Sequence, residues 1–181
     1  MKRIILAIVV MIVFAAGASA QGLGYIGLFA DDVHGTWCAT GTGFYPVEMW
    51  IWCLAGMHGQ ICAEFMISYP ANVITSTVTA NETDISVTLG DLASGMSACL
   101  KECNEGWIWF FHQTLYVSDA ALSHAEIVPH PDVGVLQFAN CEEGFPTEPC
   151  VKLTHLYINA GQELPECQTT ATQSASWGAI K

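Results

Sequence analysis

Apolar and polar residues alternate in short blocks along most of this chain. The longest apolar block beyond the N-terminal segment is Gly-Trp-Ile-Trp-Phe-Phe-His-Gln-Thr-Leu-Tyr-Val, residues 106–117. Aromatic and β-branched residues dominate it, which predicts a strand rather than a helix. Strict alternation places Trp107, Trp109, Phe111, Leu115 and Val117 on one face, and Ile108, Phe110, His112 and Tyr116 on the other. Both faces are largely apolar. That suits a central strand covered on both sides, or on one side by a ligand or partner.

Shorter blocks of the same kind surround it. Residues 25–30 and 35–40 predict two early strands, and Pro46 opens a long one over 47–55. Gly56-Met57-His58-Gly59 has hairpin-turn composition, and a return strand follows over 60–69. Setting Cys53 opposite Cys62 puts Trp50, Trp52, Leu54, Ile61, Ala63, Phe65 and Ile67 on one hairpin face, read as the core side. The same register predicts a Cys53–Cys62 disulfide, because opposed residues of an antiparallel pair stand close enough to bridge. Further strands are expected over 72–80, 84–89 (Ile85, Val87 and Leu89 inward), 96–100, 125–128, 133–141 and 151–159, with at most a helical turn at 118–123. Nine or ten short strands without sustained helical periodicity give an all-β fold: an antiparallel, disulfide-stapled β-sandwich, immunoglobulin-like or jelly-roll-like.

Composition adds a compartment. Residues 1–20 carry a basic start, an apolar run too short to span a bilayer comfortably and Ala18-Ser19-Ala20 before Gln21, the pattern of a secretory signal peptide. Residues 21–167 then form one sandwich domain. Residues 168–181 form a Thr/Ser/Gln-rich linker with a short tail that is dispensable for folding and suited to location or partner contact. After residue 20 there is no Arg, and only Lys101, Lys152 and Lys181 face 17 acids, a net charge of −14. Without a basic footprint, nucleic acid is excluded as a partner and anionic membrane surfaces are disfavoured. No second apolar run of membrane length follows the signal, so the mature chain is read as secreted, extracellular or periplasmic. Its eight cysteines, Cys38, Cys53, Cys62, Cys99, Cys103, Cys141, Cys150 and Cys167, read as four disulfides with no free thiol. Besides Cys53–Cys62, strand ends and loop proximity suggest Cys103–Cys141 and Cys150–Cys167.

Several short motifs point the same way. They are Ile26-Gly27-Leu28-Phe29-Ala30-Asp31 with Cys38 nearby, Gly95-Met96-Ser97 with Cys103, Pro129-His130-Pro131-Asp132, a strand ending in Cys141, and the closing Ser176-Trp177-Gly178-Ala179-Ile180-Lys181. Together they resemble a group of small secreted bacterial proteins of β-sandwich type to which no activity is attached. The resemblance implies export and fold, and transfers no catalytic residue.

Candidate chemistry is sparse. Gly95-Met96-Ser97-Ala98-Cys99 approximates a hydrolase nucleophile elbow, but its last Gly is Cys and no strand-to-helix unit frames it. His34 with Cys38, and His58 with Cys62, share the pattern His-Gly-x-x-Cys. Two such pairs match zinc in ligand type but not in spacing, and exported cysteines oxidise. Asp31 and Asp32 offer oxygens to calcium without a loop of known calcium-binding form. His34, His58, Asp31 and Asp32 are therefore weak metal candidates, and no metal or other cofactor is expected. Trp-Ile-Trp occurs twice, at 50–52 and 107–109. The first pair is read as core. Trp107 and Trp109, with His112 on the same strand, are the ligand-binding candidates. Asn81-Glu82-Thr83 is a glycosylation sequon. The resulting functional expectation is a secreted, non-enzymatic binding or surface-assembly protein with a protein or carbohydrate partner at the cell surface. The alternative is a carbohydrate-active protein, binding module or hydrolase, using exposed Trp and acidic residues.

Overall fold

A computed structural model of the chain describes residues 22–161 together with Leu164 and Cys167. The signal segment 1–20 and the linker and tail 168–181 lie outside the described residues. Among the described residues there are twelve strands and no α-helix. In chain order they are β1 (Gly24–Phe29), β2 (Cys38–Ala39), β3 (Tyr45–Leu54), β4 (Gln60–Ser68), β5 (Val73–Ala80), β6 (Ile85–Asp91), β7 (Gly95–Asn104), β8 (Trp107–Val117), β9 (Ser123–Val128), β10 (Gln137–Ala139), β11 (Thr147–Lys152) and β12 (Leu156–Ile158). The helical turn expected at 118–123 is not formed.

The strands make a β-sandwich. One sheet runs β11-β1-β3-β8-β5, and the other is built on β6-β7-β4, with β9 and β10 sharing the second edge of β4 and β12 and β2 lying beyond β9. Pairing is antiparallel except for β1 with β11 and β12 with β2. β10 pairs both β4 and β11, so one side of the sandwich is closed by hydrogen-bonded strands rather than left as two free edges. The core between the sheets takes Ile26, Leu28, Met49, Ile51, Phe111 and Leu115 from the first sheet. From the second it takes Phe65, Ile67, Ala98, Ile127 and Phe138.

The expected hairpin between the third and fourth strands does not form. β3 pairs β1 and β8 in the first sheet, whereas β4 pairs β7, β9 and β10 in the second. Residues 56–59 form a tight turn, with the Gly59 amide donating to the Gly56 carbonyl at 3.2 Å, but the chain crosses from one sheet to the other there. Gly59 has φ of 71°, and any Cβ would stand 2.8 Å from Cys141 Sγ, so glycine is required on both counts. The inward face of β4 is as expected: Ala63, Phe65 and Ile67 are buried. The inward face of β3 is the opposite one, with Val47, Met49, Ile51 and Cys53 buried and Trp50, Trp52 and Leu54 outward. Both faces of that strand are apolar, so the register of hydrophobes did not decide between them.

Two further corrections come from bulges. The β3–β8 register shifts between Ile51 and Trp52, so that Ile51 opposes Phe111 while Trp52 opposes Trp109, leaving Phe110 as the extra residue. Phe110 and Phe111 are therefore both buried, and the outward face of β8 becomes Trp107, Trp109, His112, Thr114 and Tyr116. In β6 a shift between Ile85 and Val87 buries Ile85 but leaves Val87 and Leu89 exposed on a strand that pairs β7 alone.

The cysteines follow the sheets. Cys62 bridges Cys99 on the adjacent strand β7, and Cys38 bridges Cys167, neither as expected. Cys103 bridges Cys141. Cys53 and Cys62 lie in different sheets, which removes the predicted bridge. Cys150 cannot reach Cys167 because that residue is held at β2. Cys53 and Cys150 are free thiols. Burial pushes the Cys53 thiol well above its ordinary pKa and the Cys150 thiol up to about 12, so both are poor nucleophiles in the folded chain. Thiol titration without reductant should find no rapidly reacting group in the native protein and two per chain in denaturant. Finding none in denaturant would mean a fourth bridge.

Candidate functional site

The candidate site is the outward face of the first sheet. Antiparallel pairing of β3 with β8 sets the two Trp-Ile-Trp motifs side by side: Trp52 opposes Trp109, Trp50 opposes His112, and Leu54 opposes Trp107. The three sequence candidates, Trp107, Trp109 and His112, therefore share one surface. Trp50 and Trp52 join them there instead of filling the core. The bulge at Phe110 makes this possible, because without it His112 would face away from the indoles.

The rings pack in two linked groups. Trp50 meets Trp109 edge-on at 5.2 Å and lies against the His112 ring at 4.3 Å. His112 Nε2 is hydrogen-bonded to Glu48 Oε2, and Glu48 also accepts from Thr114 Oγ1 at 3.2 Å. In the second group His34 stacks on Trp107 at 4.5 Å and leans on Trp52 at 4.7 Å, while Phe29 approaches Trp107 edge-on at 6.2 Å. All four indoles are half-buried. From below, the buried Asn81 fixes the position of Trp109 by donating its amide to the Trp109 carbonyl at 2.9 Å and to Asp84 at 2.8 Å. That amide is thus committed inside the fold and is not presented as a glycosylation acceptor.

His34 reaches the face from the β1–β2 loop. Asp31 Oδ1 accepts the amides of Val33 and Gly35 at 3.3 and 2.8 Å, an Asx-type turn that holds His34 at φ 48°. Burial among the rings pulls the His34 imidazole below its ordinary pKa, with the Asp31 carboxylate acting in the other direction. His34 Nδ1 and Trp52 Nε1 are both buried without a hydrogen-bond partner. Unpaired buried polar atoms are destabilising, and two of them lie together at this face.

The metal candidates are put to other uses. The sulfurs of Cys38 and Cys62 are in disulfides, which removes the two His-Gly-x-x-Cys sets as thiolate ligands. Asp31 caps a turn, and Asp32 is exposed beside it. His58 lies by the sheet-crossing turn, where its Nδ1 contacts Glu148 Oε1 at 2.6 Å. That hydrogen bond, aided by the Glu142 charge, raises its pKa. The Ser97 hydroxyl, the nucleophile candidate, is in mid-strand on β7 and donates to Glu64 Oε1 at 3.2 Å, which is a strand position and not an elbow. A shallow depression near β7 carries Asp84, Lys101 and Glu102. Lys101 Nζ spends its donors there on the carbonyls of Glu82 and Thr83, at 2.7 and 2.9 Å.

No family model matches the chain, and no curated protein sequence does. Solved structures similar in fold include the following two. A chain of the CaDoc0917–CaCohA2 complex at pH 5.5 superposes with TM-score 0.52 at 10% identity, over 75% of this chain and 97% of that one. The third ScaB cohesin of R. flavefaciens in complex with a group 1 dockerin gives TM-score 0.53 at 5% identity, over 77% and 95%. The fold is thus a cohesin-like β-sandwich.

Proposed function

We propose that the chain is an exported, non-enzymatic binding module that docks a protein partner on the aromatic outer face of the β1-β3-β8-β5 sheet. The observation that carries this reading is the gathering of four Trp with His34, His112 and Glu48 on the outward side of a sheet whose core is already filled by other residues. Clustered Trp side chains are enriched at interface centres, where a few aromatic residues carry most of the binding energy. One of the similar structures is a cohesin bound to a dockerin, so a sandwich of this architecture can serve protein docking. Three disulfides suit an oxidising compartment and fit residues 1–20 as an export signal, with residues 21–167 as the working module.

A carbohydrate platform fits the ring geometry less well. Sugar stacking uses flat, open indole faces. Here Trp50 is covered by His112 and meets Trp109 at 79°, and Trp107 is covered by His34. The test is retention by the immobilised mature chain, offered extracellular proteins of its own source in one arm and insoluble polysaccharides in the other. A specific protein is expected to be retained and the polysaccharides are not. Retention of a polysaccharide, with quenching of Trp emission, would favour the carbohydrate reading instead.

A further inference from the structure

We propose that His124, Glu126 and His155 form a binding site for a divalent transition metal of the zinc class. One donor atom from each lies within 4.8 Å of the other two. Donors around a tetrahedral zinc stand roughly 3.3 Å apart, given Zn–N and Zn–O bonds of about 2.0–2.2 Å, so small side-chain rotations suffice to close the set. The site is separate from the aromatic face: it lies on β9 and beside β12, in the other sheet.

The backbone explains the convergence. His124 and Glu126 are two residues apart on β9 and share its outward face, while Ala125 and Ile127 between and beyond them are buried. Antiparallel pairing sets Leu156 opposite Ala125 and Tyr157 opposite His124, which brings His155 alongside Glu126. The two imidazoles meet edge-on at 5.1 Å, and His124 Nε2 is 3.9 Å from Glu126 Oε2. His155 Nδ1 is buried with no hydrogen-bond partner, an unmet requirement that a bound cation would satisfy. Burial, with the Lys152 charge, holds the His155 ring below its ordinary pKa.

The two imidazole nitrogens make this set better suited to zinc, copper or nickel than to calcium or magnesium, which take oxygen ligands. Three protein ligands leave a fourth position open to water or to a group from another molecule. One cation already occupies part of the site: Lys152 Nζ is hydrogen-bonded to Glu126 Oε1. A metal must share Glu126 with that ammonium or displace it, so Lys152 limits affinity.

Calorimetric titration of the tag-free mature protein, disulfides intact, with zinc chloride tests the proposal, and cobalt absorption reports the geometry. We expect one saturable site per chain. His124→Ala and His155→Ala each weaken binding more than tenfold, a loss of over about 1.4 kcal/mol. Lys152→Met tightens it severalfold, and His58→Ala leaves it unchanged. Near-UV circular dichroism verifies that each variant is folded. Absence of saturable binding at millimolar zinc, or binding that survives the His124→Ala/His155→Ala double variant, would overturn the proposal.

Discussion

Replacing Cys38 and Cys167 with Ala lowers the stability of the folded chain by about 5 kcal/mol, the largest loss expected from removing any one bridge. The two cysteines are 129 residues apart, against 37 and 38 for the other two bridges, and the unfolded chain gains more freedom from opening the longer loop. By the same relation the shorter bridges are worth about 4 kcal/mol each. The long bridge also ties β2 to the chain beyond β12, reinforcing a parallel pairing of only two residue pairs. β2 follows the loop that carries His34, so opening the bridge should also change Trp emission as the His34 stack on Trp107 loosens. Urea unfolding of the variant against the parent gives the answer. A loss under about 1 kcal/mol would show that the bridge does not close the fold.

Phe65→Ala is expected to destabilise by about 3–5 kcal/mol. Phe65 is fully buried at the centre of β4 and meets Phe111 of the opposite sheet edge-on at 6.2 Å, so its loss leaves a cavity between two sheets that cannot collapse freely. Trp50→Ala removes a larger side chain from the outward face, yet should cost less, because water can fill the vacated space. Ranking the two by denaturant midpoint separates core from surface. A Trp50→Ala loss equal to that of Phe65→Ala would make the Trp face a second core and not a docking surface.

Most strand positions were legible in the sequence, because period-two alternation and Gly/Pro punctuation are local signals. The strands expected over 47–55 and 60–69 are found as Tyr45–Leu54 and Gln60–Ser68. Their partnership was not legible. A four-residue turn is equally able to close a hairpin or to cross a sandwich, and only the long-range pairing of β3 with β8 decides which. The Cys53–Cys62 expectation failed with it. The face carrying Trp107, Trp109 and His112 was visible in part, since aromatic density marks it, but the bulge that brings His112 round beside the indoles has no local signature. Trp50 and Trp52 were misplaced because both faces of β3 are apolar, so size and hydrophobicity did not separate core from surface. The His124, Glu126 and His155 cluster has no local sequence signature for a different reason: its third member arrives from across a strand pair, 29 residues after Glu126.

An outward Trp face that binds, and does not merely fold, loses affinity but not the fold when its rings are removed. The most direct test compares the parent with the Trp50→Ala/Trp109→Ala variant in affinity for the retained protein partner, alongside stability. At least a hundredfold loss of affinity is expected, the effect of losing about 2.7 kcal/mol at an aromatic hot spot, in a variant that still unfolds cooperatively with its three bridges intact. Unchanged affinity in the folded variant would contradict it.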